Sequence, residues 1–127
     1  MSSFIKTFLV IFLLIGSYAS VQAQETDSLQ TTGMASYYHD KFEGRPTASG
    51  QPYRKDSLTA AHPTLPFNTL VRVTNLSNDK SVVVKVNDRG PFVRSRIIDV
   101  SKAAAIALDF LEKGLTRVEI QVVTDDE

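Results

Sequence analysis

The chain has 127 residues, with 14 Lys and Arg against 14 Asp and Glu, and it contains no cysteine. The lack of thiols excludes cysteine nucleophiles, iron–sulfur clusters, cysteine-based zinc sites and lipid attachment to an N-terminal cysteine. Between Gly33 and Val123 basic residues exceed acidic ones by four. This excess suits an anionic polymer, but it is too small and scattered to indicate a nucleic-acid partner.

The first 23 residues are predicted to be an export signal. Lys6 gives a short positive region, residues 7–16 form an uncharged apolar run, and Val21 and Ala23 place small residues at the −3 and −1 positions of a cleavage site. Residues 24–32 are polar and are predicted to form a linker. We therefore expect an exported protein of the periplasm or cell envelope, cleaved near Ala23, without a stable membrane anchor.

The ordered domain is predicted to span residues 33–123 and to begin with several short strands. Alternating residues and turn signals predict a strand at 33–38, a polar loop at 39–45 and a turn at 47–53. A short strand follows at 58–61. The strands at 70–75 and 82–86 are predicted to pair as a hairpin through the turn at 77–80.

The last third of the domain contains the predicted helix. Residues 96–100 form a short apolar strand, Ser101 is a good N-cap for a helix over 102–111, and Gly114 is placed to end it. Alternation predicts a final strand over 116–123, followed by an acidic tail at 124–127. Six short strands and one short helix before the last strand predict a mainly β fold, a small closed barrel.

Asp88 is the first candidate for chemistry. The valine-rich strand at 82–86 breaks abruptly into Asn87-Asp88-Arg89-Gly90-Pro91, which places a carboxylate at a strand end where a loop admits solvent. The alternative is that Asp88 only caps this turn through an Asx hydrogen bond.

Two other polar residues, Gln51 and His62, also lie at turns or strand ends. Aromatic residues near them could provide the flat apolar faces that sugar rings need, although aromatic side chains more often fill the core. His39 and His62 have no i, i+4 spacing, so no metal site and no cofactor are predicted. The aromatic candidates are Tyr37, Tyr38, Tyr53, Phe67 and Phe92.

Several segments of the ordered region together resemble the rare lipoprotein A (RlpA) family of lytic transglycosylases. The resemblance covers residues 33–123 and implies a six-stranded double-psi β-barrel with a glycan-binding groove. It also implies non-hydrolytic cleavage of the β-1,4 bond between N-acetylmuramic acid (MurNAc) and N-acetylglucosamine (GlcNAc) in peptide-stripped peptidoglycan, leaving 1,6-anhydro-MurNAc ends. The segments that carry it are GMASYY (33–38), GRPTASG (44–50), LTAAH (58–62), LPFNTLVRVTN (65–75), VKVNDRGPF (84–92) and RIIDVS (96–101).

The resemblance also implies roles for individual residues. Asp88 would be the general acid and base, and His62 would hydrogen-bond Asp88 or the substrate. Gln51 stands where active members carry glutamate, and it would bind the substrate without transferring a proton. We further expect the protein to act as a monomer, with peptidoglycan strands as its partner. Tyr37, Tyr53, Arg89 and Phe92 complete the predicted substrate-binding set.

The sequence is also compatible with two other functions. A non-catalytic glycan-binding or expansin-like wall module would use the same groove without cleaving, and Gln51 favours this alternative. A barrel that binds a protein partner or acts as an inhibitor is the third candidate. Aromatic residues exposed in the groove would favour sugar over protein as the ligand.

Overall fold

The computed structural model describes residues 29–124. The predicted signal peptide, most of the predicted linker and the last three residues of the tail lie outside this range. All six strands lie in the compact unit that begins at Thr31. No helix within residues 29–124 has the length and hydropathy needed to cross a membrane. The elements are β1 (Thr32–Tyr37), a 3₁₀ helix (Asp40–Phe42), β2 (Thr59–Ala61), β3 (Leu70–Asn75), β4 (Ser81–Asp88), β5 (Arg96–Val100), α1 (Lys102–Ala107) and β6 (Thr116–Val122).

The six strands form a closed barrel in the order β1-β5-β2-β4-β3-β6, with β6 returning to β1. β1 runs parallel to β5 and β2 parallel to β4, whereas the other four pairs are antiparallel. The predicted hairpin of β3 and β4 is confirmed, with Leu70 opposite Lys85 and Thr74 opposite Ser81. Closure pairs both edges of every strand, so the barrel has no free sheet edge.

Alternating residues of the strands fill the barrel interior, as the period-two pattern predicts. Val84 and Val86 of β4 are buried, and Lys85 between them is only half-buried. In β6, Val118 and Ile120 are buried and Arg117, Glu119 and Gln121 are exposed. A barrel this small is filled by side chains, so ligands can bind only at its mouth or outer surface.

The predicted strand ends differ from the observed ones at two places that matter for the site. β1 begins at Thr32, which the sequence pattern assigned to the linker. β4 continues through Asn87 to Asp88 instead of ending at Val86. The pairing with β2 explains the second difference, because Ala61 is the register partner of Asp88. Asp88 is therefore the last residue of a paired strand.

The prediction of a helix over 102–111 was too long. Ser101 caps the helix as predicted, since its hydroxyl oxygen accepts from the Ala104 N–H, but α1 ends at Ala107. Leu108 and Phe110 are both buried, at 0% and 2% exposure. Residues two apart point to different sides of a helix, so burying both requires the chain to leave helical geometry. Ile106, an apolar residue near the end of α1, is 57% exposed.

Candidate active site

A row of four residues crosses four adjacent strands at one end of the barrel. Ser36 of β1 is the register partner of Asp99 in β5, and Asp99 pairs with Ala61 of β2. Ala61 in turn pairs with Asp88 of β4. All four line one cavity of about 530 Å³, which we call the Asp88 cleft. The barrel therefore brings two carboxylates into one cleft.

A register shift of one residue brings Asp88 into this row. Thr59 and Ala60 pair with Lys85 and Val86, so a regular ladder would place Asn87 opposite Ala61, but Asp88 occupies that position. An extra residue in one strand is the geometry of a β-bulge, which re-aims side chains near functional sites. Asn87 is 5% exposed and lines a different cavity. The shift thus separates the side chains of two consecutive polar residues.

Three hydrogen-bond donors hold the Asp88 carboxylate. The Tyr38 hydroxyl donates to Oδ2, and the backbone N–H groups of Ala48 and Arg89 donate to Oδ1 over 2.8 and 2.9 Å. The Arg89 contact is local, as the turn-cap alternative expected. The other two donors come from residues 50 and 40 positions away in the chain, so the carboxylate is positioned by tertiary structure as well as by its own turn.

Tyr38 is held as a donor to Asp88. Burial and the hydrogen bond to Asp88 raise the pKa of its hydroxyl far above the ordinary value. Its ring stacks on the Tyr53 ring with centroids 4.5 Å apart and meets the Phe42 ring edge-on at 6.0 Å. Such aromatic packing restricts the ring and hence the direction of the hydroxyl.

Tyr53 does not provide the sugar-binding face that the sequence suggested. Its side chain is 2% exposed, and its hydroxyl oxygen accepts from the Lys102 N–H at 3.1 Å. The ring packs against Tyr38 and is covered by the protein. Tyr53 therefore supports the residue that contacts Asp88, and its predicted contact with glycan would require the ring to be uncovered.

His62 is also differently placed than predicted. Its imidazole Nδ1 accepts from the N–H groups of Thr64 and Leu65, both at 3.1 Å, and the residue is 4% exposed. Burial lowers the pKa of the imidazole, and the nearby charge of Arg89 lowers it further. His62 meets Asp88 through the backbone, where its N–H donates to the Asp88 carbonyl at 3.2 Å. The imidazole thus shapes the turn at 62–65 through these two hydrogen bonds.

The Arg89 side chain turns toward β2 and the following loop. One guanidinium nitrogen donates to the His62 carbonyl at 3.2 Å, and the group lies 4.2 Å from the centre of the Phe67 ring. A guanidinium stacked on an aromatic face is restricted in direction. Arg89 lines the Asp88 cleft with Lys41 and Arg96, so positive charge surrounds the two carboxylates.

Phe92 and Tyr37 both line the cleft, but only one of them is freely accessible. Phe92 is 83% exposed. Tyr37 is half-buried, donates its hydroxyl to the Leu111 carbonyl at 2.7 Å and packs edge-on against Phe110. The predicted aromatic face is therefore available at Phe92, whereas Tyr37 belongs partly to the core.

Gln51 lies in a second cavity of about 380 Å³, which we call the Gln51 cavity. Asn87 and Lys85 of β4 line it together with Gln51, and the Asn87 amide donates to Gln51 Oε1 over 3.5 Å. The turn containing Ala48 and Ser49 binds both Asp88 and Asn87. The structure therefore separates Gln51 from the Asp88 cleft.

Asp99 is the site residue that sequence reasoning missed. Its Oδ1 accepts from the Ser36 hydroxyl at 2.5 Å and lies 3.2 Å from Arg96 Nε. Arg96 and Asp99 are three residues apart in β5, which gives no sequence signal for a site. Only the parallel pairing of β5 with β1 brings Asp99 to Ser36.

Metal ligands are not clustered in the described part of the chain. Among residues 29–124 no three side chains of the types His, Cys, Asp and Glu are placed to hold one ion. The Asp88 cleft contains the positioned carboxylate of Asp88, the second carboxylate of Asp99 and the exposed aromatic face of Phe92. These groups can transfer a proton and stabilise positive charge on a bound sugar.

Comparison with known proteins decides the family. A family model described as lytic transglycolase matches residues 30–120. The chain belongs to the RlpA-like lytic transglycolase family. It is 47% identical over 110 residues to the endolytic peptidoglycan transglycosylase RlpA of Pasteurella multocida and 50% identical over 91 residues to that of Campylobacter jejuni.

These relatives are longer than the aligned region. The aligned segments cover 87% and 72% of this chain but only 37% and 33% of the Pasteurella and Campylobacter proteins. The family match therefore concerns the barrel domain.

Solved structures confirm the predicted double-psi barrel fold. The apo expansin of Clavibacter michiganensis superimposes with a TM-score of 0.59 at 23% identity, covering 75% of this chain and 50% of that one. A Streptomyces papain inhibitor superimposes with a TM-score of 0.55 at 27% identity, covering 73% and 94%. Because proteins with unrelated names share this barrel, the fold alone does not identify the function, which depends on the residues of the site.

Proposed function

We propose that this protein is a peptidoglycan lytic transglycosylase that cleaves the MurNAc–GlcNAc β-1,4 bond of peptide-free strands and leaves 1,6-anhydro-MurNAc ends. The observation that carries the proposal is the Asp88 carboxylate, held at the barrel mouth by donors from three segments. The family and the names of the RlpA relatives support peptidoglycan as the substrate.

One carboxyl group is sufficient for this reaction. Asp88 as the acid donates its proton to the glycosidic oxygen while the bond from that oxygen to C1 of MurNAc breaks. The C6 hydroxyl of the same sugar forms the new bond to C1, and its proton passes to the Asp88 carboxylate. No water is activated, so the second carboxylate that an inverting hydrolase uses for this purpose is not required.

The residues around Asp88 orient its carboxyl group and stabilise charge on the sugar. Tyr38 and the Ala48 N–H fix the direction of the Asp88 carboxyl. The Asp99 carboxylate lines the same cleft and would stabilise the positive charge that develops on the sugar ring. Phe92 offers an apolar face at the cleft edge.

The test is to incubate the protein with peptide-free peptidoglycan strands and to look for 1,6-anhydro-MurNAc ends by mass spectrometry. The Asp88→Asn variant should lower the rate about 10²–10⁴-fold. Its amide oxygen can still accept from Ala48 and Arg89, so the loss of unfolding free energy should stay within about 1–2 kcal/mol. Equal rates in the two proteins would remove Asp88 from the chemistry.

A glycan-binding module without cleavage is the second candidate, and Gln51 is the residue that favours it. An amide cannot transfer a proton at neutral pH. If proton transfer requires a carboxyl group at that position, the protein would bind strands without cutting them. Intact strands that co-sediment with the protein in the same assay would support this candidate.

We also propose that the protein is exported, cleaved after Ala23, and active as a monomer without a stable membrane anchor. The apolar run and small residues of the first 23 positions support export. N-terminal sequencing of protein recovered from the cell envelope should begin at Gln24. A chain that keeps its first residues and stays with the membrane would contradict the proposal.

A further inference from the structure

The Gln51 cavity has the size and lining of a binding site in its own right. Its volume of about 380 Å³ lies within the usual range for ligand pockets, roughly 300–1,000 Å³. Its walls combine the apolar Pro52 and Leu58 with the amides of Gln51 and Asn87. Among the described residues that line it are two cations, Lys85 and Arg54, and no carboxylate.

Lys85 supplies a positive charge that no carboxylate within residues 29–124 neutralises. It lies on the outer face of β4, between Thr59 of β2 and Leu70 of β3, and is half-buried. Within residues 29–124 its ammonium group has no carboxylate within 4.0 Å. A half-buried cation is less screened than a surface one, so an anion in the cavity would gain from it.

Arg54 contributes less positive charge to the cavity than Lys85 does. It is paired with Glu43 at 3.1 Å, and both side chains are largely open to solvent. Exposed pairs of this kind contribute little to binding or stability. Lys85 is therefore the cation that would decide the charge preference.

Asn87 is a buried residue whose side-chain amide makes one long hydrogen bond to the described residues. Its residue is 5% exposed, and within residues 29–124 the one hydrogen bond of its side chain is the 3.5 Å contact with Gln51, at the limit of a hydrogen bond. Buried polar groups in proteins are normally satisfied. An amide left in this state at a cavity wall can donate to and accept from a bound ligand.

We propose that the Gln51 cavity is a second saccharide subsite, selective for a sugar that carries a free carboxylate. In peptidoglycan that group is the O-lactyl carboxylate of MurNAc after the stem peptide has been removed. Lys85 binds the carboxylate, Asn87 and Gln51 bind sugar hydroxyl or acetamido groups, and Leu58 packs on the ring. The inference rests on the proposed function, because it takes a peptidoglycan strand as the ligand.

Because residue 51 is a glutamine and carries no charge, the charge of Lys85 remains available to a ligand. A glutamate at this position would place a carboxylate of the protein in the cavity, where it would compete with the lactyl group for Lys85. The subsite is therefore a property of this chain's own residues. Gln51→Glu should reduce the selectivity for carboxylate-bearing sugars.

The experiment measures binding without cleavage. The Asp88→Asn protein is titrated calorimetrically with a peptide-free GlcNAc–MurNAc tetrasaccharide and with fully N-acetylated chitotetraose, which lacks only the lactyl groups. We expect about tenfold tighter binding of the MurNAc ligand, since a hydrogen-bonded charge contributes roughly this much. The preference should shrink between 50 and 500 mM salt.

Further variants of the Asp88→Asn protein test which residue causes the preference for the MurNAc ligand. Lys85→Gln should abolish the preference while chitotetraose binding is retained, and Lys85→Arg should keep it. Lys80→Gln is the matched control, because Lys80 lies in the β3–β4 turn and pairs with Asp109 at 3.5 Å. It removes the same charge outside the cavity and should leave the preference unchanged.

The outcomes separate this inference from the proposed function. Equal binding of both ligands, a preference that survives Lys85→Gln, or no binding of either ligand would overturn the subsite, whatever the cleavage assay reports. A preference lost in Lys85→Gln supports the subsite even if the wild-type protein yields no anhydro ends.

Discussion

Asp88 and Asp99 are register partners of the same residue, Ala61, on the two strands that flank β2. Two strand spacings, roughly 9–10 Å, therefore separate their backbones. Ala61 places only a methyl group between them. Both carboxylates line the Asp88 cleft, so a sugar bound there would meet negative charge from two sides.

Asp99→Asn should lower kcat at least about tenfold, because the variant removes a negative charge facing a transition state with positive charge on the sugar ring. The Asn oxygen can still accept from Ser36, so stability should fall by no more than about 1–2 kcal/mol. The measurement is the rate of anhydro-end formation beside a thermal melt. A variant that melts earlier but cleaves at the wild-type rate would show that Asp99 is structural.

Tyr38→Phe should lower kcat and leave KM nearly unchanged, because it removes the donor to Asp88 Oδ2 and keeps the stacked ring. Hydrogen bonds to charged groups contribute about 1.5–3 kcal/mol, which corresponds to a decrease of roughly 10- to 150-fold. Tyr53→Phe is the matched control: it removes a hydroxyl from the other ring of the stack and should retain kcat. Equal decreases in both variants would indicate a general effect on packing.

Gln51→Glu should raise kcat if a carboxyl group at this position takes part in proton transfer, as the resemblance to active family members implies. KM for peptide-free strands should rise at the same time, because the new carboxylate lines the same cavity as Lys85. Steady-state kinetics on defined strands separates the two constants. An unchanged kcat would remove Gln51 from the catalytic account.

The stability of the protein should fall as the pH drops from about 7.5 to 5.5, in part because of His62. Burial lowers the pKa of His62 in the folded state, so near its ordinary value of about 6.5 the unfolded chain binds more protons than the folded one. Stability then rises with pH, and the contribution is lost as the pH falls below 6.5.

His62→Asn isolates this effect. The Asn oxygen can accept from the Thr64 and Leu65 N–H groups, yet it does not titrate. Denaturant unfolding at several pH values should show a shallower slope for the variant than for the wild type. Parallel slopes would mean that His62 does not contribute to the pH dependence.

Local sequence patterns predicted most of the fold correctly. The alternation in β3, β4 and β6 follows from one face of each strand being buried, and a period of two is visible in any single strand. The end of α1 was not predictable in this way. Leu108 and Phe110 leave the helix because both have places in the core, and those places are formed by strands distant in sequence.

The sequence by itself determined the barrel and its strands and identified Asp88 as a candidate residue, because strand periodicity, turn residues and the NDRGP segment are local features. Only the tertiary structure decided which side chains meet. The register shift beside Ala61 directs Asp88 and Asn87 to different cavities, and strand pairing brings Asp99 into the Asp88 cleft. Tertiary packing also buries Tyr53 and His62, two of the residues that the sequence placed at the site. Register and burial depend on contacts between distant segments, which no single stretch of sequence specifies.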